Sequence, residues 1–176
     1  MKRIACSVLP SLLLLSACGN HTTTTPAAAP AKPAANPAAA PAESPKPPAN
    51  VDMDAAVTVL MAKPEQPDEN IEMQHILIAF QGAPRMTRVT RSKDEAKALA
   101  QKVYAEVIAG GDFDELVKKY TDDSPPGIYR MTKAGRTVMV KAFGDVGFRL
   151  KVGEIGVAPW DAKASPFGWH IIKRLK

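Results

Sequence analysis

The segment Ile71-Glu72-Met73-Gln74-His75-Ile76-Leu77-Ile78-Ala79-Phe80 closes on five consecutive apolar residues and reads as a mostly buried β-strand. Gln81-Gly82-Ala83-Pro84 then breaks it. The next signal is a helix. Ser92, with Glu95 three residues on, forms a capping box in which each side chain satisfies the other residue's free backbone N–H. Ala96, Leu99, Ala100, Val103, Val107 and Ile108 follow at helical spacing. Gly110-Gly111 ends the helix, because glycine tolerates the left-handed cap conformation.

Toward the C-terminus, Asp112 and Glu115 repeat the capping pattern for a short helix whose buried side is Phe113, Leu116, Val117 and Tyr120. Pro125-Pro126-Gly127 stops the chain. Ile128 to Met131 suits a short strand, and Val138 to Leu150 suits one or two short helices anchored by Ala142-Phe143 and Phe148. Gly153 turns the chain into a strand over Ile155–Trp160, and Trp169–Leu175 makes a closing strand after Gly168. Strand, helices, strand, helix, strand, strand points to an α+β domain with a small, mostly antiparallel sheet. From Ile71 to Lys176 there are 106 residues, one compact domain, with no internal repeat.

Toward the N-terminus, Val51–Asn70 is a transition: Val57 to Met61 is apolar enough for a helical turn, and Pro64, Pro67 and Asp68 break it. From Asn20 to about Asn50 the chain is almost all Thr, Pro, Ala, Asn and Lys, with no large apolar side chain to offset the entropy of ordering. A disordered tether is expected, able to reach about 90 Å when fully extended. An SH3-type ligand is the sharper alternative for such proline spacing. Residues 1–17 read as an export signal: Lys2 and Arg3, an apolar stretch from Ile4 to Leu15, then small Ser16 and Ala17. Leu15-Ser16-Ala17-Cys18 resembles the lipobox of bacterial lipoproteins, which implies a lipid on Cys18 and a cell-envelope location. Gly19, where an aspartate would resemble an inner-membrane retention signal, points to the outer membrane if the cell is Gram-negative. The alternative is an ordinary secretory signal with a chance cysteine. The other of the two cysteines, Cys6, lies inside the signal, so the mature domain has none for a disulfide, a thiolate metal site or a nucleophile.

Between Ile71 and Lys176 there are 18 basic and 12 acidic residues, a net of +6. This suits an anionic membrane surface or acidic clients. The basic residues are scattered without aromatic stacking partners, so a nucleic-acid role is not expected. Arg85, Arg88, Arg91 and Lys93 cluster before the capped helix, where they form either an anion clamp or a solvated loop, the latter being the simpler expectation.

Three polar residues stand out. His75 opens the apolar part of the first strand, His170 sits between Trp169 and Ile171 in the last, and Asp123 follows Tyr120-Thr121-Asp122. If the two strands pair, the histidines can stand side by side; each could also be a satisfied core residue. Gln74-His75-Ile76-Leu77-Ile78, the capped helix, and Gly111-Asp112-Phe113-Asp114-Glu115-Leu116 followed by Tyr120-Thr121-Asp122-Asp123 together resemble parvulin-type peptidyl-prolyl cis/trans isomerases. So do Met139 with Phe143, Phe148-Arg149-Leu150, Val152-Gly153-Glu154-Ile155 and Phe167-Gly168-Trp169-His170-Ile171-Ile172, in the family's order. The resemblance implies a four-stranded antiparallel sheet surrounded by short helices. It implies that His75, Asp123 and His170 form the active centre. It also implies that Met139 and Phe143 grip the substrate proline, with Ile128, Phe167 and Trp169 as neighbours. No cofactor or metal is implied; the partners are proline-containing polypeptides, and a monomer is expected.

One segment departs from the family. After the aspartate parvulins usually carry a Gly-Gly-Asp-Leu-Gly-like run, and here the chain reads Ser124-Pro125-Pro126-Gly127-Ile128-Tyr129-Arg130. A parvulin-like module that binds clients without useful turnover is therefore the main alternative to an enzyme. A metal site built from His75, Asp123 and His170 is a third possibility.

Overall fold

Strand β1 (Asn70–Ala79) takes the apolar run and is buried from Met73 to Ala79, so it needs cover on both faces and hydrogen-bond partners on both edges. In the computed structural model, which describes residues 51–176, it finds both. The sheet order is β2-β1-β4-β3, antiparallel throughout, with β2 at Ile128–Thr132, β3 at Ile155–Ala158 and β4 at Gly168–Arg174. This is the α+β architecture expected from the sequence. The expected export signal over residues 1–17, Cys18 and the Pro/Ala/Thr-rich stretch fall outside the described residues.

Successive side chains on a strand point to opposite faces, and that parity divides the core in two. Ile76 and Ile78 of β1 and Trp169 and Ile171 of β4 face helices α2 (Lys93–Ile108) and α3 (Phe113–Tyr120), with Val103, Phe113 and Val117. Ile71 and Met73 of β1 and Ile172 of β4 face the other way, toward Phe143 and Val146 of helix α4 (Lys141–Gly147). A one-turn 3₁₀ segment, Arg136–Val138, leads into α4.

The capping box of α2 is complete: the Glu95 amide donates to Ser92 Oγ at 3.2 Å, and the Ser92 amide to Glu95 Oε2 at 2.7 Å. The box at α3 is only half made. Asp112 accepts from the Glu115 amide, while the Glu115 carboxylate turns out to Lys118. Ile108 is exposed and Tyr104 takes a buried place on α2 instead.

The segment Val51–Asn70 is more than a transition. Met53–Met61 is helix α1, opened by the Asp52 side chain and packed on β3, with Met53 in one core and Leu60 in the other. The domain therefore starts well before Ile71. The sequence hides this because α1 is too short to show a clear apolar stripe. Leu60→Ala should cost about 2–4 kcal/mol of unfolding free energy in denaturant titrations. Val59→Ala, at a position 64% exposed, should stay within about 0.5 kcal/mol.

Candidate active site

β1 and β4 pair with Leu77 opposite His170 and His75 opposite Ile172, so the two histidines are diagonal neighbours on the α4 face. Their rings lie within 18° of parallel and meet Nδ1 to Nδ1 at 3.0 Å. The β2 side of β1 is covered only as far as Gln74 by strand pairing. Beyond it, the chain leaving α3 takes over. The Leu77 amide donates to Thr121 Oγ1, the Asp122 amide to the Leu77 carbonyl, and the Ala79 amide to Asp122 Oδ2. Arg91 braces Asp122 from the far side.

That zipper delivers Asp123 to the histidines, with Oδ2 3.0 Å from His75 Nε2. The same oxygen accepts from Tyr129 Oη at 2.7 Å, and Oδ1 accepts from the Ser124 amide at 2.8 Å. The His75 bond, reinforced by the Tyr129 and Ser124 donors, holds the Asp123 carboxyl well below the usual carboxylate range against the opposing cost of burial. Tyr129 is pushed up to about 12, first by burial and then by the adjacent carboxylate, so it remains a donor. His170 is driven down to about 3, chiefly by its burial. It is therefore neutral.

The proton arrangement follows. Asp123 only accepts, so His75 donates through Nε2; His75 Nδ1 then accepts from His170 Nδ1–H. His170 Nε2 is left as a bare lone pair, buried and without a partner. In this line both ring nitrogens of His75 are occupied. The three groups do not converge on one point as metal ligands would, and no cluster suited to a metal ion occurs among the described residues.

The polar line forms one wall of a cavity of about 660 Å³. Met139, Phe143 and Phe167 line it, and Phe143 sets its ring against both histidines, 5.2 Å and 5.7 Å between centroids. Met86, Val138 and Pro166 complete the apolar part, and Arg85, Lys141 and Lys163 lie on the rim.

Two expected neighbours are elsewhere. Trp169 precedes His170 in β4, so strand parity turns it to the opposite face, against Phe80. Ile128 pairs with Gln74 and is 44% exposed outside the cavity. Tyr129, opposite Met73, is the β2 residue that enters the site. The alternation along Ile128-Tyr129 carried that information, but only once the register with β1 was known.

Because His170 resists a proton that the unfolded chain accepts, folding stability falls as pH drops below about 6.5, by up to about 1.4 kcal/mol per pH unit. Urea titrations between pH 7 and 4 should show this slope, and His170→Gln should flatten it. Asp123, whose carboxyl is depressed, adds its own loss only at still lower pH.

Residues 57–176 match the family model described as a PPIC-type PPIASE domain. The chain is 30% identical over 109 residues to Chaperone SurA of Pseudomonas fluorescens, covering 61% of this chain and 23% of that protein. It is 39% identical over 85 residues to Foldase protein PrsA 1 of Bacillus cereus, covering 46% of this chain and 27% of that one. It therefore spans only about a quarter of either relative. Among solved structures, peptidyl-prolyl isomerase ESS1 from Candida albicans shares the fold, with a TM-score of 0.54 at 21% identity over 70% of this chain and 73% of that one. The chain belongs to the parvulin family, and its residues 57–176 are a PPIC-type peptidyl-prolyl isomerase domain.

Proposed function

We propose that this chain isomerises X–Pro bonds of exported polypeptides as a folding helper, held at the cell envelope by a lipid on Cys18. The observation that carries the proposal is the meeting, in one cavity, of an apolar grip (Met139, Phe143, Phe167) and a fixed polar wall (His75, Asp123). An X–Pro bond rotates over a barrier of about 20 kcal/mol because twisting breaks amide conjugation. The apolar grip holds the proline ring and excludes water that stabilises the planar amide. With the carbonyl oxygen turned toward Asp123, the carboxylate disfavours the charge-separated planar form more than the twisted one. No bond to the substrate is made or broken.

The names of the two bacterial relatives, a chaperone and a foldase, support polypeptide clients. The lipobox-like Leu15-Ser16-Ala17-Cys18 supports the anchor, and Gly19 an outer-membrane location in a Gram-negative cell. The active centre is assigned to His75, Asp123 and His170, and the chain to a monomer.

In a protease-coupled X–Pro peptide assay the chain should exceed the uncatalysed rate. Asp123→Ala should lower kcat/KM by one to two decades, the scale of a charge-assisted hydrogen bond of about 1.5–3 kcal/mol. Met139→Ala should act mainly on KM. A rate equal to the blank, with suppression of client aggregation that Met139→Ala plus Phe143→Ala abolishes, would establish the binding module instead.

The rim adds a preference. Arg85, Lys141 and Lys163 surround an otherwise apolar opening, and Lys141 alone of the three is paired, with Asp145, among the described residues. Peptides with Glu before the proline should turn over several-fold faster than those with Lys. The difference should shrink in 1 M salt, where the Debye length falls to about 3 Å.

A further inference from the structure

We propose that Tyr129 is a positioning residue of this site: from the neighbouring strand it holds the Asp123 carboxylate against His75 and so fixes which ring nitrogens of the histidine pair carry protons. The proposal deepens the isomerase assignment above and rests on it for its kinetic consequence.

Asp123 sits on a loop with its side chain 29% exposed, and its local backbone, through the Ser124 amide, holds only Oδ1. The two donors that hold Oδ2 both come from strands. His75 Nε2 reaches Oδ2 from β1, and Tyr129 Oη reaches the same oxygen from β2. The strands are locked together at this point: the His75 amide donates to the Gly127 carbonyl, and Met73 pairs with Tyr129. Gly127 is held at φ +66, and a Cβ there would lie 2.7 Å from the His75 carbonyl oxygen. Only glycine lets β2 come this close. The Tyr129 ring also packs edge-on to His75, 5.2 Å between centroids.

The hydroxyl is spent on Asp123, so Tyr129 acts through that residue. A carboxylate turned outward would no longer require His75 to donate through Nε2. The ring could then exchange tautomers, and His170 would lose its fixed acceptor. The segment that supplies this tyrosine is Ser124–Arg130, where the chain departs from the family pattern.

The test uses the full-length chain and three variants: Tyr129→Phe, Asp123→Ala and the double variant. If Tyr129 works through Asp123, Tyr129→Phe lowers kcat about tenfold with KM within twofold, and adds less than twofold once Asp123 is absent. Losses that multiply in the double variant, or a Tyr129→Phe enzyme equal to wild type, would overturn the proposal. Long-range ¹H–¹⁵N spectra of the histidine rings supply a readout independent of turnover. Wild type should show His75 protonated at Nε2 and His170 at Nδ1, and Tyr129→Phe should lose protection of the His75 Nε2 proton from exchange. If wild type gives only the blank rate, the isomerase assignment fails and the spectra decide alone. Retained protection in Tyr129→Phe then refutes the positioning role, and lost protection supports it.

Discussion

The antiparallel pairing of β1 with β4 is the constraint on which the rest of the molecule depends. These strands lie about a hundred residues apart in sequence and form the centre of the sheet. Their register decides everything on the α4 face, because a slip of one residue would send His75 and His170 to opposite sides. Closing so distant a contact is entropically expensive, and it is secured by burial. Ile76, Ile78 and Ile171, on the opposite face, are fully inaccessible, and a one-residue slip of either strand would turn its isoleucines there toward the site and its histidine away from it. The polar site is thus held in register by its apolar neighbours.

Once that pair is set, the outer contacts act as fasteners. Arg174, at the end of β4, is buried with its guanidinium spread over the Leu150 and Lys176 carbonyls and the Asp68 carboxylate. It ties the C-terminal strand to the turn before β3 and to the segment before β1. A buried charge so fully partnered is more specific than it is stabilising. On the other side, Thr121 and Asp122 cap the β1 edge where β2 stops. Asp123 is delivered by this edge closure and not by a catalytic loop of its own.

What could be read from the sequence follows the range of the interaction. The capping box at Ser92–Glu95, the glycine stop at Gly110-Gly111 and the apolar runs are local, and they placed α2, α3 and the four strands. His75, Asp123 and His170 were found through the family's ordered motifs, which carry tertiary information that spacing alone does not. Trp169 and Ile128 went astray for the same reason that Tyr129 was missed. Which face a strand residue takes is fixed by pairing with a distant partner, and proximity in sequence to a site residue is then misleading: both chain neighbours of His170, Trp169 and Ile171, point away from the site. Of helix α1 only the turn from Val57 to Met61 was legible, because its first half is held by the groove it fills.

The proposed reaction is also compatible with a chain that has no cysteine after Cys18. Rotating an amide calls for no nucleophile and no proton delivered to a leaving group. It calls for an environment that does not follow the substrate as it twists. The polar wall meets that requirement, since Asp123 has donors on both oxygens, His75 is engaged at both nitrogens, and His170 is buried and neutral. The opposite wall is softer: Met86 and Met139, unbranched and adaptable, line the same cavity. In the proposed reaction, a rigid electrostatic face together with a yielding apolar one keeps the proline ring gripped while the preceding carbonyl swings. On the proposed reading, the segment Ser124–Arg130 strengthens the rigid face through the Tyr129 hydroxyl on Asp123.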